Sequence, residues 1–180
     1  MGRCIQPAVV LALLIAPTAA CAANHEELPA DIVTGLLPLA AFGIAHYKGD
    51  EEGEAEFLRS NAASLILNST LRVAFNQTSL GKRPNGHDYG FPSGHAAFVV
   101  SSAAFLEDRY GWQYGLPAYA LSGYVSWVRV DTGHHRWRDV AAGAALSYGV
   151  SKLFVIPQNA THIAPLVGPH FLGMRWERSF

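Results

Sequence analysis

The chain has 180 residues, half of them hydrophobic, and a formal net charge of -1 at pH 7. This length and apolar content suit one domain with a sizeable core. The balanced charge provides no broad basic field, which argues against a protein that binds nucleic acid independently of its sequence. We therefore expect a globular protein that has no nucleic-acid partner.

The first 22 residues have the three-part pattern of a secretory signal peptide. Arg3 precedes an apolar run from Ala8 to Ala16, which is much shorter than the ~20 residues of a membrane span. Cleavage after Ala20–Ala22 would release a chain that starts near Ala23, although Cys21 is also a candidate for lipidation. We therefore predict export to the periplasm or to the periplasmic face of a bacterial inner membrane.

Between residues 32 and 155 the hydrophobic pattern predicts five helices, so the expected fold is an all-α, compact bundle. The second helix is amphipathic with one polar stripe, and the fifth begins with small residues that permit close packing. Pro157 ends the last helix and leaves residues 158–180 as an extended tail with room for a short strand. The predicted helices are Ile32–Tyr47, Phe57–Phe75, Gly94–Tyr110, Gly115–Val130 and His135–Val155.

The pattern leaves the placement relative to a membrane open. The mean hydropathy of +0.14 is modest, and only the uncharged run from Tyr110 to Val128 approaches the ~20 residues of a span. A compact periplasmic bundle and a membrane protein with several spans both fit these runs. A membrane surface is therefore one expected partner.

Residues Phe91–His95 open the third predicted helix with a sequence suited to binding an anion. Pro92 fixes the approach of the chain, Ser93 is a favourable N-cap, and Gly94 lets a ligand come close to the backbone. The free amides and the dipole of the helix hold a phosphate before any side chain contributes. His95 adds an imidazole in the first turn, although the pattern alone is also common at ordinary helix starts.

Two further segments carry residues of matching chemistry. Arg83 follows a loop start rich in Gly and Asn, and Arg129 lies near the end of the fourth predicted helix. Each guanidinium offers a forked set of donors that suits a tetrahedral oxyanion. His135 and Asp139 are four residues apart, so on a helix they share a face, and the carboxylate is predicted to accept from one ring nitrogen of the histidine.

In combination these segments resemble the type 2 phosphatidic acid phosphatase superfamily, which includes bacterial non-specific acid phosphatases and vanadium haloperoxidases. Its second motif, Pro-Ser-Gly-His, is intact at Pro92–His95. Its third motif is Ser-Arg, five residues, His, three residues, Asp. That spacing is kept from Arg129 through His135 to Asp139, with Val128 in place of the serine.

This chain departs more from the first motif of the family, which is Lys, six residues, Arg-Pro. Arg83-Pro84 is present, but Asn76 stands where the family has its lysine. The nearest basic candidates are Arg72 and Lys82. We favour Arg72, on the polar stripe of the second helix, and keep Lys82 as the alternative if the following loop folds inward.

The resemblance implies a catalytic domain over residues 23–157 with its active site at helix ends and connecting loops. His135 would be the nucleophile that forms a phosphohistidine, Asp139 would orient it, and His95 would protonate the leaving alcohol. The implied phosphate-binding residues are Arg83, Ser93, Gly94 and Arg129, with Arg72 or Lys82 completing the cage. No metal and no other cofactor is implied, so activity is expected to survive chelators.

The implied function is a phosphatase that acts on a phosphomonoester or a pyrophosphate, with a phosphorylated lipid favoured over a small soluble phosphate. Two alternatives stay open. Vanadate mimics phosphate, so the same cage would suit a vanadate-dependent haloperoxidase, although the missing family lysine counts against it. A non-catalytic envelope protein that binds phosphate is the other, and the presence of both histidines and Asp139 counts against it.

Overall fold

In this computed structural model the structure describes residues 27–158, 161–168 and 171–178. The predicted signal peptide, residues 1–22, lies outside them. Five helices between Glu27 and Phe154 form the bundle, which confirms the predicted all-α fold. An antiparallel pair of strands follows them. The elements are α1 (Glu27–Tyr47), α2 (Glu51–Phe75), α3 (Gly94–Tyr110), α4 (Trp112–Asp131), α5 (Trp137–Phe154), β1 (Thr161–Gly168) and β2 (Phe171–Arg178).

Three helices begin earlier than the hydrophobic pattern predicts, among them α4, which begins at Trp112 rather than Gly115. Helix α2 starts at Glu51 rather than Phe57, because Asp50 caps it by accepting from the Gly53 N–H at 2.9 Å. Acidic side chains fill its first turn, where they interact favourably with the helix dipole. Helix α1 starts at Glu27 rather than Ile32. The charged residues before the predicted starts of α1 and α2 therefore belong to these helices.

Helix α3 is the centre of the bundle and packs against each of the other four helices. Its buried face consists of small and apolar side chains that let the neighbouring helices approach closely, with Phe105 as the largest. The Phe105 ring meets Phe57 of α2 edge to face, with 5.1 Å between the ring centroids. Packing on α3 thus fixes the position of both of its ends.

A buried ion cluster closes the bundle at the C-terminal end of α3. Arg109 donates to the Asp50 carboxylate at 2.7 and 2.6 Å, to Glu56 at 3.2 Å and to the carbonyl oxygen of Ile156 at 2.7 Å. These contacts tie the start of α2 and the segment after α5 to the end of α3. The cluster lies one helix length, about 25 Å, from the start of α3.

Helix α2 carries its polar stripe towards the interior. Asn61, Ser64 and Asn68 are buried, whereas Ile66 and Val73 on the other side of the helix are exposed. This arrangement reverses the usual order for a helix on the surface of a water-soluble protein. Exposed apolar side chains also line α1 and α4. Among the described helices, α1 is long and apolar enough to cross a membrane by length and composition, a test that core helices and signal sequences also pass.

The first turns of α5 pack directly against the start of α3, as their small residues predict. A Cβ added at Gly143 would lie 2.4 Å from the carbonyl oxygen of Ser93. The backbone N–H of Ser93 donates to the carbonyl oxygen of Asp139 at 2.9 Å. Two chain segments that are distant in sequence are thereby held in one fixed arrangement.

This contact predicts a strong effect of one added methyl group. Gly143→Ala should lower the free energy of unfolding by about 1–3 kcal/mol, because the obstructing atom belongs to the backbone and cannot swing away. Gly149→Ala is the matched control on the same helix, because an added Cβ there meets nothing within 4 Å. It should raise stability by about 0.5–1 kcal/mol. Urea unfolding followed by circular dichroism measures both, and equal effects would contradict the packing described.

Candidate active site

The N-terminus of α3 forms the floor of the candidate site. Ser93 is the N-cap, with an extended backbone and an Oγ that accepts from the Ala96 N–H at 3.4 Å. Its side chain is fully buried, and Asn68 of α2 donates to its carbonyl oxygen at 3.4 Å. The N-cap predicted at Ser93 is thus confirmed. The first turn, with Gly94 and His95, carries the positive end of the helix dipole.

The loop between α2 and α3 is held by the residue that replaces the lysine of the family motif. The Asn76 side chain accepts from the Tyr89 N–H at 2.8 Å. The Tyr89 carbonyl oxygen in turn accepts from Arg72 Nη2 at 3.2 Å, and the Arg72 guanidinium lies over the Tyr89 ring. Asn76 therefore holds Tyr89 in place, and the Tyr89 carbonyl oxygen in turn positions the Arg72 side chain.

Three arginines from separate elements meet at this end of the bundle. Arg72 belongs to α2, Arg83 to the loop and Arg129 to the last turn of α4. The Nη1 of Arg72 lies 3.2 Å from the place that a Cβ on Gly94 would take. The Nε of each arginine is buried and has no hydrogen-bond partner within the part of the chain that the structure describes. Buried N–H groups need an acceptor, so among the described residues the three guanidinium groups have unused donors at this end of the bundle.

Lys82, the alternative to Arg72, points elsewhere. Its ammonium group pairs with Asp88 of the same loop, and its side chain is 62% exposed. Its carbonyl oxygen accepts from Arg136 Nη1 at 3.1 Å, which ties this loop to the start of α5. The structure therefore brings Arg72 to the start of α3 and leaves Lys82 at the surface.

His135 is buried, with 2% of its surface exposed. Its Nδ1 lies 2.8 Å from the carbonyl oxygen of Gly90. Since a carbonyl oxygen only accepts, Nδ1 carries the hydrogen of the neutral ring and Nε2 keeps its lone pair. Burial, together with the charges of Arg83, His95 and Arg72, lowers the pKa of His135 to about 3. The ring is therefore neutral at physiological pH, with a nucleophilic nitrogen available.

The predicted bond between Asp139 and His135 is not formed. Asp139 Oδ2 accepts from the backbone N–H of Arg136 at 2.8 Å, and Oδ1 lies 3.4 Å from Arg138 Nε. The prediction assumed that both residues belong to one helix, but α5 begins only at Trp137. His135 lies in the loop before it, so the shared-face argument does not apply. Asp139 instead caps α5 and fixes the loop that carries His135.

His95 lies in the first turn of α3 and is partly buried. Burial and the charges of Arg72 and Arg83 lower the pKa of His95 to about 4. Its Nε2 lies 3.7 Å from Asp31 Oδ1 at the start of α1. Arg129 Nη2 contacts the same carboxylate oxygen as an ion pair, without the geometry of a hydrogen bond.

Sequence reasoning missed the acidic contribution of α1 to this site. Glu27 Oε1 lies 3.7 Å from His134 Nδ1, and Asp31 faces His95 and Arg129. The available signal was their spacing of four residues, which places both carboxylates on one face once the helix begins at Glu27. Within the described residues, no three His, Cys, Asp or Glu side chains form a group that could hold a metal ion.

Comparison with known sequences agrees with the residues of the site. The family model of the PAP2 superfamily, the type 2 phosphatidic acid phosphatase superfamily named above, matches residues 64–161, which is more than half of the chain. This range includes every residue assigned to the site except those on α1. No solved structure shows significant similarity to this chain.

Curated relatives resemble parts of this chain. The lipid A 4'-phosphatase of Helicobacter pylori strain J99 is 37% identical over 79 residues, which cover 43% of this chain and 40% of the relative. The lipid A 1-phosphatase of the same strain is 31% identical over 104 residues, which cover 56% of this chain and 54% of the relative. The chain thus spans about half the length of these relatives.

The capping role of Asp139 makes a prediction that differs from that of a direct histidine partner. Asp139→Asn keeps an acceptor for the Arg136 N–H, so we expect kcat to fall by less than about tenfold. Asp139→Ala removes the cap and frees the loop, and a shift of about 1 Å there lowers kcat by about 10²-fold. A loss near 10⁴-fold in Asp139→Asn, as for an aspartate that orients a catalytic histidine, would contradict this assignment. Steady-state kinetics on both variants measures the difference.

Proposed function

Because this chain belongs to the PAP2 superfamily, we propose that it is a metal-independent phosphatase that works through a phosphohistidine intermediate. One observation carries the proposal. Buried guanidinium groups, whose Nε atoms have no partner in the part of the chain that the structure describes, surround the helix start beside a neutral histidine whose Nε2 keeps its lone pair. This arrangement suits a phosphate and a nucleophile that attacks it.

In the proposed binding step, Arg72, Arg83 and Arg129 contact the non-bridging oxygens of the phosphate. Ser93 and the amide of Gly94 add the donors of the helix start. Phosphoryl transfer depends mainly on positioning and on charge stabilisation along an in-line path. Three fixed cations and a helix dipole supply that stabilisation, so the proposal requires no metal ion.

In the proposed chemical step, His135 Nε2 forms a bond to phosphorus while the bond from phosphorus to the leaving oxygen breaks. His95 transfers a proton to that oxygen, and the alcohol departs. A water molecule then attacks the phosphohistidine, with His95 accepting its proton, and phosphate is released with His135 neutral again. The pKa of His95 is about 4 in the empty site. A bound phosphate dianion raises that pKa, because it opposes the field of the arginines.

We further propose that the substrate is a phosphorylated lipid at the face of a membrane, in an exported protein. The names of the relatives specify lipid A phosphatases. Four exposed apolar side chains form one stripe along α1, beginning beside Asp31, and α2 also turns apolar residues outward. Contact with lipid would account for the exposed apolar faces of α1 and α2. The α1 stripe consists of Leu28, Ile32, Leu36 and Leu39.

Phosphate release from a diacylglycerol phosphate in mixed micelles and from p-nitrophenyl phosphate tests the proposal. We expect hydrolysis of both, with higher kcat/KM for the lipid, no loss in EDTA and competitive inhibition by vanadate. His135→Ala should lower kcat by at least about 10³-fold, because it removes the nucleophile. His46→Ala, an exposed histidine paired with Glu54, is the control and should keep full activity.

Other outcomes of this assay would overturn the proposal. Substantial turnover by His135→Ala would reject the nucleophile. Halogenation of monochlorodimedone with vanadate and peroxide, without phosphate release, would indicate the haloperoxidase alternative. Phosphate binding without either reaction would indicate a non-catalytic protein.

The position of Arg72 predicts an unequal effect of two basic residues. Arg72→Met should lower kcat/KM by about 10²–10³-fold, because it removes a donor to the transferring phosphoryl group. Lys82→Met, which removes the surface pair with Asp88, should change kcat/KM by less than about threefold. Kinetics with p-nitrophenyl phosphate measures both. A larger loss in Lys82→Met would show that the loop turns inward when substrate binds.

A further inference from the structure

The first turns of α1 place two carboxylates against the basic end of the bundle. Glu27 and Asp31 lie on the same face of the helix, four residues apart. Glu27 Oε1 is 3.7 Å from His134 Nδ1, whereas Asp31 Oδ1 is 3.7 Å from His95 Nε2 and in contact with Arg129 Nη2. One oxygen of Asp31 therefore meets both the proposed general acid and a proposed phosphate ligand.

The balance of charges in the site indicates a role for the Asp31 carboxylate. Arg72, Arg83 and Arg129 bring three positive charges, and a phosphomonoester dianion neutralises two of them. Asp31, in contact with Arg129, and Glu27, whose charge also acts on Arg129, offset the third. Of the two carboxylates, Asp31 is the one beside His95, and without it the remaining positive charge would disfavour a protonated His95, which is the form that must exist when the leaving oxygen departs.

The distance decides how the carboxylate acts. A separation of 3.7 Å between His95 Nε2 and Asp31 Oδ1 exceeds that of a hydrogen bond. The carboxylate therefore stabilises the charge of the imidazolium without binding its proton. The N–H of His95 stays free to donate to the leaving oxygen.

We propose that Asp31 is a positioning residue for leaving-group protonation, which anchors Arg129 and stabilises the protonated form of His95. This inference rests on the proposed function, in which His95 is the general acid. It assigns a role to α1, which lies outside the segment shared with the PAP2 superfamily. It also places the Asp31 carboxylate and the apolar stripe on the same helix, α1.

Several charged or titratable groups besides Asp31 face His95, and a test must separate them. They come from each element around the histidine, and Asp31→Asn leaves all of them in place. They are Arg72 of α2, Arg83 of the loop, Arg129 of α4, and His134 and His135 of the segment before α5.

The test is the pH dependence of kcat, which reports the enzyme with substrate bound, for Asp31→Asn in the full chain, with an alkyl phosphate and with p-nitrophenyl phosphate. The alkaline limb reports loss of the proton from His95. Removing a carboxylate at this distance should move that limb down by about one pH unit or more. The variant should lose about tenfold in kcat on the alkyl phosphate, whose leaving group needs protonation, and much less on p-nitrophenyl phosphate. KM should stay nearly constant.

Two variants control this experiment. Asp31→Glu keeps the charge and should restore the wild-type alkaline limb, which separates charge from structural damage. Glu54→Gln removes a carboxylate that pairs with His46 outside the site at 3.0 Å, and it should leave the profile unchanged.

Three results would overturn the inference. An alkaline limb that does not move in Asp31→Asn rejects it. So does an equal loss on both substrates. A lower KM and tighter vanadate inhibition with kcat retained would mean instead that Asp31 competes with phosphate for Arg129. In each case an active wild type that His135→Ala inactivates would leave the proposed phosphatase intact, whereas an inactive wild type would reject both proposals.

Discussion

The hydrogen bond from the Ser93 N–H to the Asp139 carbonyl oxygen is the constraint on which the site depends. It joins the start of α3 to the start of α5 at 2.9 Å. Gly143 lets the two helices come close enough to form it. The same junction fixes the start of α3 and the loop of His135, so the distance between them is set by the packing of backbone rather than by flexible side chains.

The electrostatics of the site follow from burying cations without enough acceptors. The arginines leave buried Nε atoms unpartnered among the described residues, and the proposed function assigns a phosphate to them. Burial and their field keep His135 neutral. Asp31 lies 3.7 Å from His95, where we propose that it moderates this field.

The sequence was sufficient for the five helices and for the order of the site residues, because both depend on local periodicity and on spacing along the chain. It was insufficient for the contacts that depend on the conformation of loops. His135 lies before α5, so Asp139 caps the helix instead of contacting the ring. Arg72 reaches the site only because Asn76 holds the loop beside it. Asp31 joins the site because α1 begins at Glu27, earlier than the hydrophobic pattern indicates.

The most direct test of the account is the position of the phosphoryl group on the enzyme during turnover. The full-length protein is mixed with a large excess of p-nitrophenyl phosphate, quenched in base, which preserves phosphohistidine, and analysed by peptide mass spectrometry and phosphorus NMR. The account predicts phosphate on Nε2 of His135, absent in His135→Ala. Phosphate on His95, or turnover by the wild type with no phosphoenzyme at any quench time, would contradict it.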